Sequence, residues 1–333
     1  MGMQQSNLSR FLQSGDVTPA IAAKLEAALD IPAHMWLGLQ AQYEADKTAI
    51  AARDEKEREA INEEKMLAGI LNLSELYARL KLRPEQFVQK KIKAIDELLG
   101  FPLLGIGNQT FVQHGFFKKN EKQNVDEKNE ATWMTLAYIE SRNNKPSGVY
   151  THGNALKAAE EISMFTHAGE ITEDKIKGIL SQNGISYSVV SKLDKTPIDA
   201  ASMMVDDYPA IVTTHRYNDM SRLIFNVLHE LGHIHKHMST QDEQKEVFVA
   251  SDYSRESKEE REANEFAEDM LIPKSVWKKI MASETKGIAD KNIIEVLKRK
   301  AEEYSLDFEV VLWRYKHESR RYNLYGAKAK NIT

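Results

Sequence analysis

The nine residues HELGHIHKH, 229 to 237, hold four of the chain's ten histidines, with a glutamate directly after the first. Imidazoles and carboxylates are ligands for divalent metals, and their spacing decides whether they can share one ion. On a helix of about 3.6 residues per turn, His229 and His233 stack one turn apart, and Glu230 lies about 100° round from His229. Two imidazoles so placed can bind one zinc ion. Glu230 is too far round to ligate easily but can touch a water on that ion and serve as its base, which is the logic of the HExxH pattern. The bland alternative is a surface helix that happens to be rich in histidine. Gly232 costs about 1 kcal/mol relative to alanine in mid-helix, so the sequence predicts that something approaches the backbone there. His235 and His237 read as solvated imidazoles or supports for the ligands. His237 sits about 6 Å further along the same helix and would have difficulty reaching the same ion.

The elements around this motif must position it. Ile224, Val227, Leu228, Leu231, Ile234 and Met238 form an apolar stripe at helical spacing over residues 219 to 238, so packing and chemistry use different faces. A catalytic zinc site takes three protein ligands and leaves one position open, so a third ligand must come from elsewhere. Residues 254 to 273 predict a second helix ended by Pro273, with Ala263, Phe266, Ala267, Met270 and Leu271 inward. Glu259 and Glu260 both border that apolar face, Glu262 points away, and Ser257 with Glu260 also forms a capping box. Periodicity does not separate Glu259 from Glu260. Before the histidine helix, GISYSVVSKL, DAASMMV and YPAIVTTHRY are rich in β-branched and aromatic residues. Asp206-Asp207 separates the last two, which predicts a hairpin plus one more strand. The strand at 209 to 216 could add an extended peptide along its edge.

The rest of the chain bounds the function. Its 333 residues exceed one comfortable core, and 42% apolar with 29% charged residues describes a globular protein. No apolar run approaches the roughly 20 residues needed to cross a bilayer, and the N-terminus lacks the features of a secretion signal. The absence of cysteine excludes disulfides and thiolate metal sites, so a cytoplasmic protein is expected. A net charge of -5 gives no broad field for nucleic acid or anionic lipid. Residues 1 to 49 read as three short helices, the third carrying Met35, Trp36, Leu39 and Tyr43. From about 46 to 65 alternating acid and base predict a solvated helix or connector, where we expect a domain boundary. Two amphipathic helices separated by Arg83-Pro84 follow, and 117 to 130 read as a polar loop.

HELGHIHKH followed by EREANEFAEDMLIP resembles the ImmA/IrrE family of bacterial and phage metallopeptidases, which are similar to thermolysin-like zinc enzymes. The resemblance covers roughly 180 to 280, including the strand segment PAIVTTHRY that leads into the motif helix. It implies that His229, His233 and Glu260 bind one Zn2+ and that Asn264 supports a ligand. SNLSRFLQSGDVTPAIAAKLEAALDIPAHMWLGLQAQYE is similar to the latter half of HigA-type antitoxin helix-turn-helix domains, with a recognition helix near Gln4 to Leu12. Here the preceding helices of that domain are missing. Residues 1 to 50 hold Arg10, Lys24 and Lys47 against Asp16, Glu26, Asp30, Glu44 and Asp46, the wrong sign for a phosphate-binding surface. Packing or dimerisation suits the segment better than DNA binding.

The expected fold is α+β, mostly helical, with a small antiparallel sheet packed on a thermolysin-like HExxH helix. The expected division is a partial helix-turn-helix-like segment at 1–49, a helical connector at 50–125, a metallopeptidase domain at 126–285 and a C-terminal helical segment at 286–333. The expected function is a zinc endopeptidase with Glu230 as general base, and His215, Arg216 and Tyr217 are candidates to stabilise the oxyanion. The resemblance implies a protein substrate, a helix-turn-helix repressor or antitoxin, cut in stress response or prophage control of transcription. A different class competes with it: an antitoxin-like regulator whose metal domain senses or scaffolds without cutting. A purely structural zinc site would have no use for Glu230 and would close the fourth position.

Overall fold

The structure is a computed structural model and describes residues 9, 11, 15–108, 125–216, 218–238, 247–251, 258–282, 290–321, 324 and 332. The chain divides into two compact units, residues 1–65 with 85–92, and residues 66–84 with 93–333. The expected recognition helix falls almost wholly outside the described residues, as does Ser257 of the capping box.

In the first unit, helix α1 (Pro19–Leu29) starts at Thr18, whose Oγ1 accepts from the Ile21 N–H at 3.3 Å. Proline at the first helical position costs no hydrogen bond there. Helix α2 (Ala33–Leu67) runs unbroken through the mixed-charge stretch that the sequence reads as a solvated helix or connector, and that stretch is mostly exposed. Met35, Leu39 and Tyr43, spaced four apart, are exposed along one row of α2.

In the second unit, α3 (Leu73–Arg79) and part of α4 (Val88–Leu99) flank Arg83-Pro84 as the periodicity predicts. A short 3-10 turn (Leu103–Asn108) follows. Helix α5 (Glu127–Asn143) is capped by Asp126, whose carboxylate accepts from Lys128 and Asn129, so residues 127–130 are helical and not part of a polar loop. Helices α6 (Asn154–His167) and α7 (Glu173–Gln182) precede the sheet. Its strands are β1 (Ser186–Val189), β2 (Ile198–Val205), β3 (Tyr208–Thr213) and β4 (Val247–Ser251), in the order β1-β3-β2-β4.

The β2–β3 hairpin turns at Asp206, which adopts a φ of 50°, a backbone region that Asp tolerates better than most residues. The expected α+β class holds, but the sheet is mixed: β1 pairs parallel to β3, while β3–β2 and β2–β4 are antiparallel. Residue alternation alone does not encode strand direction, which accounts for the difference. The position of β3 also overturns the expectation that it takes up a peptide at its edge, because both its sides are occupied by β1 and β2.

Side chains alternate across the sheet with period two. Ala201, Met203, Val205, Ala210 and Val212 enter a core with Trp133, Met134 and Ala137 of α5. Ile211 enters the other core, built on the motif helix α8 (Met220–Lys236). Helix α9 (Lys258–Leu271) packs on α8, and α10 (Lys274–Ile280), α11 (Asp290–Glu303) and α12 (Phe308–Ser319) complete that side.

Candidate metal centre

Helix α8 starts at Asp219, whose side chain accepts from the Arg222 N–H at 3.3 Å, and ends at His237, whose backbone N–H donates to the His233 carbonyl at 2.8 Å. The apolar stripe Ile224, Val227, Leu228, Leu231, Ile234 and Met238 is buried throughout. The opposite side carries one row at intervals of four: Phe225, His229, His233 and His237. Successive ring centroids along it are 6.3, 4.8 and 5.3 Å apart.

The close approach expected at Gly232 is α9. A Cβ at residue 232 would stand 3.1 Å from the Ala263 Cα and 3.1 Å from the Phe266 Cδ1, tighter than ordinary side-chain contacts. The missing side chain lets the two helices meet within the reach of a glutamate. The carboxylate that joins the imidazole pair is that of Glu260. Its Oε2 lies 3.4 Å from the His229 Nε2, and its Oε1 lies 3.6 Å from the His233 Nε2. The two Nε2 atoms are 3.1 Å apart.

These separations fit a metal. Tetrahedral ligands at about 2.0–2.1 Å from zinc stand roughly 3.3 Å from one another. The protonation pattern fits as well. The His229 Nδ1 lies 2.9 Å from the Asn264 Oδ1, an acceptor, so the proton belongs on Nδ1 and the Nε2 lone pair faces the centre. His229 is buried; burial lowers its basicity, but the Glu260 and Glu230 carboxylates outweigh burial and hold its pKa above the usual value. His229, His233 and Glu260 could therefore hold a divalent ion.

Glu230 is fully buried, and its Oε2 accepts a 2.5 Å hydrogen bond from the Ser202 hydroxyl, itself fully buried on β2. Ser202 was missed in the sequence, where its signal was a lone hydroxyl in the otherwise apolar run AASMMV. Asn264, one turn after Glu260, lies against the His229 ring. Glu262 lies off the buried apolar face, as expected, and reaches His237, with its Oε2 3.0 Å from the His237 Nε2. His235 lies off the row, against His152 and Phe266, and burial followed by the charge of His152 lowers its pKa.

Two of the oxyanion candidates are occupied elsewhere. The His215 Nε2 lies 2.8 Å from Glu173, and Arg216 faces Asp199 at 3.5 Å. Tyr217 falls outside the described residues. Among the described residues no helix is long and apolar enough to cross a membrane.

A search of curated proteins found no match to the chain. A family model gives no support to the N-terminal resemblance, since its match begins at residue 189. Residues 189–316 match the model of the IrrE N-terminal-like domain, peptidase M78, a span that contains His229, Glu230, His233, Glu260 and Asn264 and points to metallopeptidase-type chemistry.

Proposed function

We propose that the protein is a cytoplasmic, zinc-dependent endopeptidase that cuts a regulatory protein, with a helix-turn-helix repressor as its substrate. The observation that carries this reading is the convergence of the buried His229 and His233 with the partly buried Glu260, beside a buried, anchored Glu230. A structural site would have no role for that last carboxylate. A bound zinc ion would supply Lewis acidity that polarises a peptide carbonyl and eases the ionisation of water. Glu230 accepts the proton of the attacking water and returns it to the departing amine. Ser202 keeps the Glu230 carboxylate in one orientation, so less reorganisation is needed when the proton moves. An extended substrate finds its backbone partners on β4, which packs near α8 and, among the described residues, is paired on one side only. The lack of cysteine suits a reducing compartment.

Zinc-loaded protein and its Glu230→Gln variant are to be incubated with a proteome-derived peptide library and with co-expressed helix-turn-helix repressors, and new termini read by mass spectrometry. New termini from the parent that vanish in the variant, at equal zinc content, support the enzyme. Zinc-loaded parent that cuts neither library nor repressor overturns it in favour of a binding protein.

A further inference from the structure

His237 ends the chemical row of α8 without being part of the converging triad, yet its surroundings are specific. Its Nδ1 lies 3.1 Å from the His233 Nδ1, and its Nε2 lies 3.0 Å from the Glu262 Oε2. The side chain of His237 is 10% exposed, that of His233 is fully buried and that of Glu262 is 35% exposed. A short chain therefore runs from the centre to the surface.

The proton positions along that chain follow from one requirement. If the His233 Nε2 lone pair faces the centre, its single proton sits on Nδ1 and must be donated. The His237 Nδ1 then accepts, which places the His237 proton on Nε2, and that proton goes to the Glu262 carboxylate. Each bond dictates the next, and the acceptor at the far end is an anion. His229 differs, since its Nδ1–H meets the neutral Asn264 amide oxygen. The two imidazoles are thus supported unequally, one by an amide and one by a carboxylate acting through a second imidazole. A hydrogen-bonded carboxylate fixes ring orientation and raises the ligand's basicity.

We propose that His237 and Glu262 are positioning residues that lock the tautomer of His233 and tighten metal binding at the triad, with Glu262 acting only through His237. This rests on the reading that His229, His233 and Glu260 hold a divalent metal. It also gives a purpose to the position of His237 at the end of α8. There the backbone N–H still bonds to the His233 carbonyl, and the ring is held between α8 and α9.

The test is a double-mutant cycle on the full chain, with zinc affinity measured by competition against a chromogenic chelator and fold checked by circular dichroism. His237→Ala is expected to weaken zinc binding about 10- to 100-fold and Glu262→Ala about 10-fold. In the His237→Ala background, Glu262→Ala should have no further effect, because its loss is transmitted through the missing ring. Glu262→Gln keeps an acceptor for the His237 N–H and should recover most of the loss. Should His237→Ala fail to fold, His237→Gln takes its place in the cycle. Failure of the parent to bind zinc through His229 and His233 would sink the metal reading itself. Parent binding with unchanged affinity in Glu262→Ala, or an equal Glu262 effect with and without His237, overturns this inference alone.

Discussion

The two faces of the sheet do opposite work. Toward α5, Ala201, Met203, Val205, Ala210 and Val212 meet Trp133, Met134 and Ala137, and the Trp133 Nε1–H donates to the Val190 carbonyl at 3.0 Å. Toward α8, the same strand β2 presents Ser202 to Glu230, and His229, Glu230 and His233 are buried together. Burying ionisable groups costs free energy unless each is bonded, whereas burying apolar surface contributes about 25 cal/mol per Å². The α5 face therefore stabilises a platform on which the α8 face can hold chemistry that does not stabilise the fold.

Substitutions on the two faces should separate function from stability. Glu230→Gln should lower cleavage at least about 10²-fold while leaving zinc content and melting temperature near those of the parent, as measured by peptide assay, metal analysis and calorimetry. A melting point many degrees lower would mean that Glu230 is a structural group, and the contrast between the faces would fail. Trp133→Ala on the other face should cost about 3–5 kcal/mol in urea unfolding. The molecules that remain folded should bind zinc as the parent does.

Gly232→Ala touches both properties. Its methyl would press on Ala263 and Phe266, so α8 and α9 must part by a few tenths of an ångström. Overpacking costs about 1–3 kcal/mol and should exceed the gain in helix propensity of about 1 kcal/mol. Zinc affinity should fall with it, and equal affinity in a chelator titration would show that the ligands do not depend on this approach.

The smallest effect concerns Glu130 on α5, whose pKa is raised to about 7 by burial, with the charge of Glu127 adding to it. A carboxylic acid that holds its proton more tightly when folded favours folding below its unfolded pKa of about 4.5. That contribution is lost as pH rises through about 7. Glu130→Gln should therefore stabilise the protein by about 1 kcal/mol at pH 8, after allowance for partial exposure, and by less toward pH 5. Melting curves across that range check the sign, and a constant difference would remove Glu130 as the cause.

Much of the site was legible before folding, and the reason is the regularity of the helix. The row that contains His229 and His233 and the opposed apolar stripe follow from residues a few positions apart on one rod. The hairpin at Asp206-Asp207 is local in the same sense. The parallel pairing of β1 and the strand β4 were not legible, because strand direction and partners depend on chain segments far apart in sequence. The exposed row Met35, Leu39 and Tyr43 shows the limit from the other side: helical periodicity places residues on a common face, and it does not say whether anything covers that face.

By itself the sequence determined which side chains share a helix face, because that is set by backbone geometry within a few turns. The packing of α8 against α9 decided that Glu260 meets the imidazoles and that Glu262 meets His237, whereas periodicity left Glu259 open and placed Glu262 only as lying off the apolar face. The packing of β2 under α8 decided that a serine 28 positions earlier holds the Glu230 carboxylate. Those contacts depend on the distance and rotation between separate elements, which no single element's period contains.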